Sequence, residues 1–197
     1  MAASTANPPF EIIALASSAG GVNALMELLA HLPKELPVPI VAVQHIDPRH
    51  RSLLADILTR HTALRVKMAE EGDSLEAGAV YLAPPDRHLL VTPERTLTLT
   101  RTELVHYVRP SADLLFESVA ATYHDRAIAV VLTGTGQDSA TGVKAIKSMG
   151  GTVIVQDQAS SEFFGMPSAA IATGDVDYVL SLVEIAPALV KLVTPDD

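Results

Sequence analysis

The chain has 197 residues, enough for one globular domain with a full core, and 48% hydrophobic content with a mean hydropathy of +0.28 excludes intrinsic disorder. A net charge of −9 and 4% aromatic content disfavour nucleic-acid binding, and the absence of cysteine excludes disulfides, thiolate catalysis and cysteine metal sites. No apolar run approaches the roughly 20 residues that span a bilayer, and MAASTANPPF lacks the basic start of a signal peptide, so the expected placement is cytoplasmic, without membrane insertion.

Residues 1–10 read as a flexible leader and 11–195 as a single domain. EIIALAS (11–17) suits a buried strand. Val22, Leu25, Met26, Leu29 and Leu32 then fall at helical spacing, and Pro33 closes that element. PVPIVAVQH (37–45) is a second apolar strand, followed by a helix from about Arg51 to His61. Four short strand candidates come next: 64–69, 79–85, 88–94 and 95–101. Leu97 and Leu99 alternate with threonines, as on a half-exposed strand. We expect these four to form an antiparallel excursion. The α/β frame then resumes with helix 111–123, strand 127–134, helix 138–149, strand 152–157, helix 167–173, strand 176–182 and helix 183–193. Strands alternating with helices imply a doubly wound, mostly parallel sheet with helices on both faces.

In such sheets, chemistry gathers at the carboxyl ends of the strands. Ser17-Ser18, Gln44-His45 and the loop TGTGQDSATG (133–142) each follow a strand, which brings a serine, His45 and Asp138 into candidacy. A nucleophilic serine needs a base, and the base needs a carboxylate to orient it. The helix starting near Gly20 would aim free N–H groups at the serine and at an oxyanion. Plainer readings compete: serine and aspartate before a helix are good N-caps, and His45 suits a structural role. The order Ser–His–Asp and the lack of G-x-S-x-G exclude an ordinary lipase-type hydrolase. A metal site at His45-Ile46-Asp47-Pro48-Arg49-His50 has no second cluster to complete it, and Asp47 reads instead as a helix cap. The glycines of 133–142 are neither G-x-G-x-x-G nor a P-loop, although an anion at that helix start stays open. No metal and no cofactor are expected.

Six stretches together resemble the catalytic domain of CheB, the chemoreceptor protein-glutamate methylesterase family. They are SSAGG (17–21), VAVQHIDP (41–48), AVYLAPPDRHLLV (79–91), VRPSADLLFESVA (108–120), VVLTGTGQDSATGVKAIK (130–147) and FGMPSAAI (164–171). The resemblance implies a Ser18–His45–Asp138 triad that hydrolyses glutamyl methyl esters on methylated chemoreceptors, with receptor glutamine deamidation as a second activity. It implies backbone oxyanion donors at Ala19 and Thr135, and a substrate groove at Gly20, Gly21, Arg109 and Gly136. Arg109 is equally readable as a salt bridge that fixes its loop. A monomer is expected.

Four positions depart from the family pattern: Ala16 for a glycine, Ala19 for a threonine, Thr135 for a methionine and Ser139 for a glycine. Ala19, Thr135 and Ser139 motivate an alternative, a weak or inactive CheB-like signalling module that binds a partner through the same groove. Ten residues before the first strand are too few for the family's receiver domain, so control by such a domain is not expected within this sequence.

Overall fold

The computed structural model describes residues 9–46 and 52–194. Its elements are β1 (Ile12–Ser17), α1 (Gly21–Ala30), β2 (Ile40–Gln44), α2 (Leu54–Thr59), β3 (Arg65–Met68), β4 (Ala79–Leu82), β5 (His88–Val91) and β6 (Leu97–Thr100). They continue with α3 (Ala112–Tyr123), β7 (Ala127–Val131), α4 (Ala140–Ser148), β8 (Thr152–Gln156), α5 (Gly165–Ile171), β9 (Tyr178–Leu180) and α6 (Leu182–Val193). Seven strands form a parallel sheet in the order β3-β4-β2-β1-β7-β8-β9, and β5 pairs with β6 in a separate antiparallel ribbon.

Period-two alternation sends side chains to two cores. Ile12, Ala14, Ala16, Val41, Val43, Ala129 and Val131 face α3, α4 and α5. Ile13, Leu15, Ile40, Ala42, Ile128 and Val130 face α1, α2 and α6. With both faces covered, the central strands are apolar along their whole length, and β1 and β2 are buried at every position. Phe10, just before β1, packs against the second core; residues 1–8 of the expected leader lie outside the described residues.

One expectation needs correction. Residues 65–68 and 79–82 are not part of an antiparallel excursion: β3 and β4 pair in parallel with each other and extend the main sheet beyond β2. The connection 69–78 crosses over the sheet without a helix, with Leu75 packed on the first core and Ser74 bridged to Thr96 of the ribbon turn. Parallel neighbours are usually joined through a helix, so a turn-rich link of this length reads locally as a hairpin. Among the described strands only β5 and β6 pair antiparallel, and they pack over α3 through Leu89, Val91 and Leu97.

The chain reverses its direction of sheet growth at β1, which lies between β2 and β7. The carboxyl ends of these three strands therefore form the crevice where a ligand would sit.

Candidate active site

The SSAGG turn is shaped by what its glycines permit. Gly20 is the N-cap of α1 with φ of 75°, a left-handed conformation that glycine adopts without strain. A Cβ on Gly21 would overlap Gln44 Oε1 and lie 2.7 Å from Ser17 Cβ. The space thus left is used by Gln44, whose Oε1 accepts from the Ser17 hydroxyl at 2.7 Å while Nε2 donates to the carbonyls of Ser18 (2.8 Å) and His45 (2.9 Å). The serines are therefore not helix caps: α1 has no side-chain cap, and Ser17 is fully buried against Gln44.

The same clamp recurs at β7. Ser18 N donates to Thr133 O at 3.1 Å. Thr133 N donates to Gln156 Oε1 at 2.8 Å, and the Thr133 hydroxyl lies 3.1 Å from the Ala19 carbonyl. A Cβ on Gly134 would overlap Met166 Sδ and sit 2.8 Å from Ser18 Cβ, so the 133–136 loop reaches the serine only because it carries glycine there. Among the described residues, the N–H groups of Ala19 and Thr135 have no protein partner, and Thr135 and Gly136 are exposed.

His45 N donates to Ser17 O at 3.0 Å, which seats His45 across from the end of β1 and beside Ser18. Its Nε2 lies 2.8 Å from Asp138 Oδ2. A proton held on Nε2 by that carboxylate leaves Nδ1 with its lone pair, the state required of a general base.

Asp138 does not cap the helix that follows it. Its Oδ1 accepts from Ser111 Oγ (2.7 Å) and Asp113 N (3.2 Å), and its Oδ2 accepts from Ala112 N (2.6 Å). These are the first free donors of α3, so the carboxylate sits at the positive end of that helix. Asp113 returns the arrangement, because its Oδ1 accepts from Ser139 N (3.0 Å) and Gly142 N (2.8 Å) at the start of α4. Each helix is capped by an aspartate associated with the other. Close approach of the pair requires Gly142, where a Cβ would lie 2.5 Å from Phe116 Cβ.

Burial acts to raise both carboxyl pKa values, with opposite net results. At Asp138 the hydrogen bonds from His45, Ala112 N and Ser111 together outweigh burial, and its pKa lies below the ordinary carboxylate value. At Asp113 burial prevails over the Gly142 N–H bond, the Asp138 charge adds to it, and the pKa lies above that value.

Ser139, where the family pattern has glycine, takes φ of 127° with its hydroxyl buried and unpartnered. Arg109 donates from Nε and Nη2 to Asp86 Oδ1 (2.9 and 2.5 Å) and from Nη1 to Thr102 O (2.6 Å). It lines a cavity beside His45 at the same time. Asp47 and His50 lie outside the described residues. Sequence reading missed the clamping role of Gln44, Thr133 and Gln156, and it missed Ser111 and Asp113. A polar residue ending an otherwise apolar buried strand was the available signal for the two glutamines.

Residues 13–189 match the family described as CheB methylesterase. A putative protein-glutamate methylesterase/protein-glutamine glutaminase of Leptospira interrogans is 42% identical over 93% of this chain and 95% of its own length. Protein-glutamate methylesterase FrzG of Myxococcus xanthus is 41% identical over 94% of this chain, which spans 56% of that relative. The crystal structure of the Thermotoga maritima CheB methylesterase catalytic domain superposes with a TM-score of 0.91 at 38% identity, covering 93% of this chain and 99% of that one.

Proposed function

The chain belongs to the CheB methylesterase family, and on that premise we propose that it hydrolyses γ-glutamyl methyl esters on methylated chemoreceptor-type proteins through Ser18, His45 and Asp138. Its relatives are named as hydrolases of this class. The observation that carries the reading is the 2.8 Å His45–Asp138 hydrogen bond at the strand end next to Ser18.

In this mechanism the Ser18 hydroxyl attacks the ester carbonyl while His45 Nδ1 takes its proton. Asp138 stabilises the imidazolium that results. The negative oxygen of the tetrahedral intermediate faces the N–H groups of Ala19 and Thr135, donors of a kind worth about 10²–10³ in rate each. His45 then passes the proton to the leaving methoxide, and methanol departs. Water, activated by the same histidine, cleaves the acyl-enzyme to glutamate. The same route with ammonia as leaving group deamidates glutamine, the second activity in the relatives' names. We assign the enzyme to the cytoplasm and treat it as a monomer.

The test is methanol release from a methylated receptor. Ser18→Ala should abolish release while its thermal melting stays that of the wild type. Saturable receptor binding by the wild-type protein without methanol release would replace the enzyme by a partner-binding module.

A further inference from the structure

Beside His45 lies a cavity of about 250 Å³, whose lining includes His45, Ile46, Leu104, Tyr107, Val108 and Arg109. Its volume is below the roughly 300–1,000 Å³ of pockets that enclose a whole small ligand. It suits one side chain of a larger substrate, the rest of which must run over the rim. That rim is unusual in its backbone. Val105 N donates to Val108 O at 3.1 Å and Val108 N to Val105 O at 2.9 Å, closing a two-residue hairpin. Its central residues, His106 (φ 49°) and Tyr107 (φ 65°), are both left-handed. Such turns normally carry Asn-Gly or Asp-Gly, and a tyrosine there is strained.

Among the described residues nothing packs over Tyr107, which is 95% exposed, and Leu104 beside it is 54% exposed. The hairpin is nonetheless tied down, at His106 within the turn and at the segments flanking it. His106 Nε2 lies 3.0 Å from Asp113 Oδ2, His88 Nε2 lies 2.9 Å from Glu103 O, and Arg109 bonds Thr102 O and Asp86. Asp86, which also lines the cavity, is shared by Arg101 and Arg109, so its negative charge is more than balanced there. The result is an exposed aromatic and apolar tip on the rim of the cavity that His45 lines, the composition that anchors protein interfaces.

We propose that the 104–108 hairpin is the docking surface for the polypeptide flanking the esterified glutamate, with the Tyr107 ring selecting apolar neighbours of that residue. The inference rests on the methylesterase reading for the identity of the ester. The test measures binding of a synthetic peptide bearing one γ-glutamyl methyl ester between leucines, in a Ser18→Ala background that cannot turn it over. Adding Tyr107→Gly should weaken binding at least about tenfold, and Tyr107→Phe should restore it. Melting of the glycine variant should equal or exceed that of its parent, because glycine relieves the positive φ. Unchanged binding by Tyr107→Gly, or no rescue by Tyr107→Phe, overturns the proposal. Tyr107-dependent binding with no methanol release by the wild type would leave the surface standing and overturn the hydrolase reading instead.

Discussion

Asp138→Asn is the substitution that most directly probes the proposed chemistry. An asparagine must place its NH₂ group at one of the two carboxylate oxygen positions. At Oδ2 it would confront Ala112 N–H, 2.6 Å away and immovable at the start of α3. At Oδ1 it meets the Ser111 hydroxyl, 2.7 Å away, which can turn to accept, and it gives up only the longer 3.2 Å bond from Asp113 N. The amide oxygen therefore stays toward His45, and the ring keeps its proton on Nε2. What is lost is charge. A hydrogen bond to an ionised group is worth about 1.5–3 kcal/mol against about 0.5–1.5 for a neutral one, so the imidazolium loses roughly 1–2 kcal/mol. That corresponds to a kcat reduction of about 5–30-fold, far less than the roughly 10⁴-fold loss when an asparagine turns the ring to the wrong tautomer. Initial rates of methanol release give the loss, and ¹⁵N spectra of the ring give the tautomer. A fall of about a thousandfold or more, or a ring protonated on Nδ1, would refute this reasoning.

Two stability predictions follow from the same corner of the molecule. Ser139→Gly relieves a φ of 127° and removes a buried hydroxyl without a partner; it should stabilise the fold by about 1–3 kcal/mol, raising the melting temperature by roughly 2–4 °C per kcal/mol, and a lower melting temperature would contradict it. Asp113 has a native pKa above its unfolded value, so its contribution to stability is fully present below the ordinary carboxylate pKa and is lost as pH rises through the native one. Asp113→Asn keeps an acceptor for Ser139 N and Gly142 N and takes away the titration facing His106 and Asp138. Urea unfolding from about pH 4 to 7 should then show the variant gaining on the wild type as pH rises, and parallel curves would disprove the assignment.

Much of this architecture is legible in the sequence. Alternating apolar runs separated by helical spacing specify the wound sheet, and Ser18, His45 and Asp138 stand out as polar groups following strands. What is not legible depends on contacts between distant segments. Asp138 precedes α4 and reads as its cap, yet it serves α3, because the glycine at 142 lets the two helix starts approach closely enough to exchange partners. β3 and β4 look like a hairpin because their link carries no helix. The 105–108 turn lacks the glycine or asparagine that would announce it, so its geometry emerges only once its base is tied by His88, Asp86 and Asp113. Gln44 is one polar residue among valines until Gly21 is seen to make room for it.

The exchanged aspartates also bear on partial unfolding. Local openings in proteins run through cooperative units rather than single bonds, and here the amides of Ala112, Asp113, Ser139 and Gly142 close one reciprocal set. An excursion that parts α3 from α4 releases all four to exchange with solvent in the same event. It also withdraws the α3 donors that hold the Asp138 carboxylate in place against His45. A loosened molecule therefore forfeits the ordered imidazole along with its helix contacts, and under the proposed triad hydrolysis is confined to the fully assembled state.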